Sequence, residues 1–147
     1  DVWEYQYAIE GPVKEFSVYF DLGPQHEVRH ANLEVSAVPE GWDPLVLLPD
    51  PRLPDAGLFE GLALVGGLLP GQILDGFGVR FSWLGAGAPG AQRWEFVDPV
   101  TFEVLASGMT RLRDAVSVTE PRLSWLLPVV GLALLVTRRR FRRERDR

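Results

Sequence analysis

An all-β body, built as an antiparallel β-sandwich and followed by a single transmembrane helix, is the fold class that these 147 residues predict. Three observations carry it. Apolar and aromatic residues recur at every second position in six separate stretches, the period of a half-buried strand. Gly-Pro and Pro-Gly pairs stand between those stretches, which is turn chemistry. One long apolar run, Leu123 to Thr137, leads directly into an arginine block.

The stretches follow in order. Val2 to Ile9 sets Trp3, Tyr5, Tyr7 and Ile9 on one face, with Glu4 and Gln6 opposite. Glu15 to Phe20 aligns Phe16, Val18 and Phe20. Ala31 to Val38 aligns Leu33, Val35 and Ala37 against Asn32, Glu34 and Ser36. Gln72 to Leu84 is the clearest case, with Phe77, Val79, Phe81 and Trp83 in phase. Trp94 to Val97 and Phe102 to Leu105 complete the set. Gly11-Pro12, Gly23-Pro24, Pro39-Glu40-Gly41, Pro49-Asp50-Pro51 and Pro89-Gly90 punctuate them. Short strands without a long helical period argue for an antiparallel sandwich. Gly57 to Leu69 reads ambiguously: Leu58, Phe59, Leu62 and Val65 suit a short helix that Gly66-Gly67 would end.

Charge divides the chain. Residues 1–119 hold 17 acidic and 7 basic side chains, a balance of −10, whereas residues 120–147 hold 3 acidic and 8 basic, a balance of +5. An acidic body is a poor partner for nucleic acid, because neutralising phosphates needs a basic face. With no cysteine there is no disulfide and no thiolate metal site. The body must be held by its core alone, and some 115 residues suffice for that. The chain starts at Asp1 and its one methionine is Met109. A leader peptide removed on export is expected, although an arbitrary boundary would explain the same start.

The tail is a candidate membrane span. Fifteen residues of helix from Leu123 to Thr137 reach about 22 Å, short of a roughly 30 Å hydrocarbon core. Arg122 and Arg138 flank the run and can snorkel to the headgroups. Pro128 and Gly131 suit a membrane helix better than a water-exposed one. Seven arginines between Arg138 and Arg147 fix the sense: that end stays in the cytoplasm and the body lies outside. The division expected is a body over 1–117 and a tail over 118–147.

Thr119-Glu120-Pro121, then the apolar run, then Arg138, Arg139 and Arg140 give the tail an order that resembles the PEP-CTERM sorting signal of exported proteins in Gram-negative bacteria. Glu120 and Pro121 match the Pro-Glu-Pro motif, and Thr119 stands where its first proline is usual. The body also resembles one that recurs in that family, through Pro70-Gly71, Gly76-Phe77, Trp83-Leu84-Gly85, Pro89-Gly90, Asp98-Pro99 and Thr101-Phe102. The resemblance implies an exported protein without catalytic activity, of the cell surface or of an exopolysaccharide-rich biofilm matrix. It implies an exosortase-type processing protease acting near residues 119–121, with Arg138 to Arg140 as the membrane stop. It further implies an inner-membrane intermediate, extracellular polysaccharide as a partner, and no cofactor.

His26-Glu27-Val28-Arg29-His30 satisfies HExxH, in which two histidines on one helix face hold zinc and Glu27 activates water. The segment follows Gly23-Pro24 and runs into a strand, so a polar loop is expected instead of a zinc hydrolase. These are the only histidines, and a third ligand would have to be a carboxylate such as Glu34 or Glu60. Asp50 and Asp55, with Glu60, are candidate calcium ligands on a proline-rich loop, although the spacing lacks the density of a calcium loop. Arg93, Trp94, Trp83 and Trp42 are a candidate sugar-stacking platform for a carbohydrate-binding module. Tryptophans at strand period belong more often to a core. Ser107-Gly108 builds no nucleophile elbow, and Gly85 to Gly90 suits a hairpin turn better than a phosphate loop.

Overall fold

A computed structural model of the chain describes residues 1–113 and 135–140. Residues 1–111 are all-β, with two antiparallel sheets and no helix. The strands are β1 (Val2–Glu10), β2 (Glu15–Phe20), β3 (His30–Ala37), β4 (Trp42–Leu47), β5 (Gly57–Ala63), β6 (Ile73–Trp83), β7 (Arg93–Val97), β8 (Val104–Met109), β9 (Arg111–Arg113) and β10 (Leu135–Arg140). One sheet runs β3-β6-β1-β10-β9 and the other β4-β5-β2-β7-β8. Their inner faces meet in one aromatic core, a sandwich-like arrangement.

The alternation read from the sequence decides which side chains enter that core. Tyr5, Tyr7, Ile9, Phe77, Val79 and Phe81 come from the first sheet, and Phe16, Val18, Phe20 and Phe59 from the second; all are fully buried. Tyr7 stacks on Phe59 across the gap at 5.9 Å between ring centroids, and Phe16 meets Phe77 edge-on at 5.0 Å. Such offset and edge-on pairs suit the ring quadrupoles.

Polar ties also cross between the sheets. The Tyr7 hydroxyl donates to Gln92 Oε1 at 2.7 Å, and the Tyr5 hydroxyl donates to the Gly90 carbonyl at 2.7 Å. Gln92 is itself held on both backbone groups by Thr110, at 2.8 and 2.7 Å. Burial, and then the Tyr5 phenol beside it, push the Tyr7 phenol well above its ordinary range, so it remains a donor. Tyr7→Phe is therefore expected to cost about 1–3 kcal/mol, since a buried amide oxygen loses its donor. Tyr5→Phe should cost less, because Gly90 is exposed and its carbonyl can turn to water. Urea unfolding of both variants, with the m-value unchanged, is the check.

Three elements differ from the sequence expectation. Residues 57–63 form a strand instead of the start of a short helix: Gly57, Phe59 and Gly61 face inward, so two of the three core positions carry no side chain to mark the period. Gly61 is required there, since a Cβ would lie 2.4 Å from the Phe16 ring. Residues 42–47 are an additional strand, at the edge of its sheet, where Pro44 is tolerated because no neighbour needs its missing N–H. The last expected strand begins two residues late, because Asp98 Oδ1 accepts from the Val100 and Thr101 N–H groups and closes a turn through Phe102.

The helix expected over 123–137 falls outside the described residues from 123 to 134. Its last three positions belong to β10, which lies antiparallel to β1 with Arg138, Arg139 and Arg140 opposite Tyr5, Glu4 and Trp3. β10 also runs parallel to β9. Among the described residues no helix is long and apolar enough to cross a membrane. Thr119, Glu120 and Pro121 lie outside the described residues.

Candidate functional site

The HExxH segment splits between two environments. His26 sits exposed in the β2–β3 turn with φ at 58°, where its N–H donates to the Gly23 carbonyl. Glu27 turns its carboxylate back on the turn, accepting from the Gln25 N–H at 2.9 Å and from Arg29 at 2.8 and 3.0 Å. Its own backbone N–H first, then those partners, hold its carboxyl below the usual range. His30 is the first residue of β3 and is buried. The segment is a turn and not a helix, so the spacing does not align the two imidazoles on one helix face.

A bulge explains why His30 points inward. His30 and Ala31 pair with Trp83 and Ser82, but the next pair is Glu34 with Arg80, so Asn32 and Leu33 together oppose Phe81. Asn32 takes a left-handed backbone, φ 55°, as its short amide side chain allows. The extra residue shifts the alternation by one. His30 and Leu33, three apart, both face the core, and Val35, opposite the buried Val79, shares that face but is 37 % exposed on the edge strand.

His30 then packs against Phe81 at 5.0 Å, Trp83 at 4.8 Å and Phe20 at 5.2 Å between ring centroids. Burial, and secondarily the Arg29 charge, push its imidazole down to about 4, so it is neutral at physiological pH. Among the described residues neither ring nitrogen has a hydrogen-bond partner. A neutral imidazole has one donor and one acceptor to satisfy, and leaving them buried and unpaired is costly.

His30 lines a cavity of about 230 Å³ together with Trp83, Arg29, Asp21, Tyr19 and Gln92. The Trp83 indole is fixed by its N–H donating to the Gly87 carbonyl at 2.9 Å, and Gly85 lies against its benzo ring. The charges around the cavity already have partners. Arg29 pairs with Glu27, while Arg93 bridges Asp21 at 3.5 Å and Glu95 at 3.2 Å and stacks 3.7 Å over the Tyr19 ring.

Tyr19 and Asp21 also border a second hollow of about 660 Å³, walled by Leu47, Leu48, Leu53 and the Asp50–Asp55 turn. The two calcium candidates face each other there as a backbone bridge, with Asp50 Oδ1 accepting from the Arg52 N–H at 2.9 Å. That N–H bond, ahead of the Arg52 side chain, lowers the Asp50 carboxyl. Glu60 sits on β5 in register with Ser17, and Glu34 pairs with Arg80 on the first sheet. Among the described residues no group of three or more His, Asp or Glu side chains is placed to hold a metal.

The sugar-stacking platform does not assemble as expected. Trp94 and Trp42 are core residues, the latter edge-on to Phe77 at 5.3 Å. Trp83 alone of the three reaches a cavity wall, and Arg93 covers Tyr19 instead of a tryptophan. Missing from the sequence reading were Asp21, Tyr19 and Gln92; no spacing marks them, because the turns bring them together from distant positions. Comparison with protein-family models, with curated proteins and with solved structures found no match to this chain.

Proposed function

We propose that this is an exported, non-catalytic protein of the cell surface or extracellular matrix, delivered by a PEP-CTERM-like tail. The observation that carries the reading is the order of Thr119-Glu120-Pro121, the apolar run to Thr137 and the arginines from Arg138. An acidic body on the outer side of a membrane segment fits the same sense of insertion, and that body does not suit a nucleic-acid partner. The proposed partners are an exosortase-type protease, the inner membrane and extracellular polysaccharide.

The reading has a structural consequence. A transmembrane helix over 123–137 and β10 compete for Leu135, Val136 and Thr137, which pair with Ala8, Tyr7 and Gln6. Insertion of the tail therefore requires β10 to leave β1, whose other edge stays paired with β6.

Intact-mass analysis of the protein recovered from its native host's envelope and matrix tests the proposal. A species ending near Glu120-Pro121 is expected outside the inner membrane. A chain that carries Arg147 and remains wholly in the inner-membrane fraction would overturn the sorting reading and leave a permanent anchor.

A further inference from the structure

From the way β10 sits in its sheet we infer that β1 and β9 frame a strand-acceptor slot, and that its ligand in trans is an extended basic segment of another protein. Residues 135–140 are the resident occupant. The slot opens in nature only when they leave it, so to that extent the inference rests on departure of the tail under the proposed function. The slot itself is argued from the described residues alone.

Both walls are held by the body without help from β10. β1 is paired along its other edge with β6, from Val2 to Glu10. Among the described residues β9 meets the sheet only through β10, yet it follows Thr110 directly. Thr110 is fixed to Gln92 by two hydrogen bonds, of 2.7 and 2.8 Å. Removing β10 therefore leaves a gap one strand wide, about 9.6 Å at roughly 4.8 Å per interstrand step. On one side of it β1 would present an unguarded edge, since Trp3 to Ala8 pair with β10 without a register break. The outer edges of both sheets are protected in the ways that discourage strand addition. Register shifts interrupt β3 and β8, Pro44 interrupts β4, and β9 is three residues long.

The register states what the slot selects, because residues directly opposite each other share a face. Val136 is opposite Tyr7, a core residue, and Arg139 is opposite Glu4, which is 7 % exposed on the other face. A suitable segment therefore carries an apolar residue against Tyr7 and, three positions on, a basic one against Glu4. An acidic segment would meet Glu4 and a body whose residues 1–119 carry a balance of −10. A folded second copy offers only interrupted or short edges among its described residues, so the partner is an extended segment and not another sandwich.

The test opens the slot by substitution and so does not depend on sorting. In the full-length chain Val136→Pro removes a ladder hydrogen bond whichever neighbour that N–H faces, because β10 is paired on both sides. A fluorescent peptide with the sequence of residues 134–141 is titrated and read by anisotropy, with amide hydrogen exchange of β1 alongside. Saturable binding is expected, at least about tenfold tighter than to the wild type. Alternate amides between Trp3 and Ala8 should lose protection in the variant and regain it with peptide. Arg139→Glu in the peptide should weaken binding roughly three- to tenfold, as a cross-strand charge pair becomes a like-charged one. No binding to a folded variant overturns the slot. Equal binding of a scrambled peptide, or binding that leaves β1 unprotected, means charge attraction alone and also overturns it. If the variant does not fold, the wild type decides. A connection of about 20 residues gives β10 an effective concentration on the order of millimolar. Several millimolar unlabelled peptide should then strip protection from residues 135–140 while β1 keeps its own, and unchanged exchange at both strands sinks the slot. Peptide binding and the intact mass of the native protein are separate readouts, so slot and sorting signal can each fail alone.

Discussion

Phe16→Ala is expected to destabilise the protein by about 3–5 kcal/mol, the range for emptying a buried Phe site. That is a large share of the roughly 5–15 kcal/mol that holds a domain folded. Phe16 is fully buried at the centre of the core, with ring neighbours Trp42 at 5.9 Å, Phe59 at 5.7 Å and Phe77 at 5.0 Å. Its ring joins the edge strand β4 and its neighbour β5 to β6 in the facing sheet, and Gly61 is kept bare to admit it. The cavity cannot easily collapse, because closing it would bring two sheets together against the rest of the aromatic core. With no disulfide in the chain, nothing covalent offsets the loss. A fall in Tm of more than about 10 °C follows. Phe102→Ala is the control: that side chain is 76 % exposed, and its removal should stay within about 0.5 kcal/mol. Thermal unfolding that shows the two variants alike would mean that the core is not centred on Phe16.

Where inward positions carry large side chains, the strands were legible. β1, β2 and β6 follow the expected alternation because Tyr5, Tyr7, Phe16, Phe20, Phe77 and Phe81 mark every second residue. β5 was obscured because Gly57 and Gly61 occupy marked positions, so the leucines on its other face suggested a helical period. β4 was obscured because it is an edge strand, with Leu45 and Leu47 about half exposed and Pro44 in its middle. Period-two reading also cannot see a bulge. It aligns Leu33, Val35 and Ala37; the register keeps Leu33 and Val35 on one face, but the extra residue at Asn32 adds His30 to that face and a second shift separates Ala37 from it. The candidate cavity was legible only in fragments. His30 stood out within HExxH for a helical zinc chemistry that a turn does not build, and Trp83 within a platform whose other tryptophans are core. Asp21, Tyr19 and Gln92 join them through the pairing of distant strands, which no local pattern encodes.

His30 should also make stability fall with acid in a window set by its own burial. Its folded-state value is about 4, against about 6.5 when unfolded. Between those values the unfolded chain binds a proton that the folded chain refuses, so stability rises with pH. The contribution is fully present above about pH 6.5 and lost progressively down to about pH 4. A gap of this size corresponds to something on the order of 3 kcal/mol. Arg29 adds to the depression, while Asp21, across the same cavity, is already bridged by Arg93. Two carboxylates act in the opposite sense. Burial, with Glu60 and then Asp98 nearby, raises Glu15, and burial raises Glu60, so both favour the folded state as the pH falls from their raised values toward 4.5, inside the His30 window. Wild-type protein alone would therefore show a mixture of the two effects. The difference in Tm between wild type and His30→Gln isolates the imidazole, because the carboxylates are common to both. The wild type should lose ground steadily against His30→Gln from pH 7 to pH 4.5. Parallel curves over that interval would show that the imidazole takes up its proton in the folded state, through a water path or a partner that stabilises the cation, and that the core around Phe20, Phe81 and Trp83 does not keep it neutral.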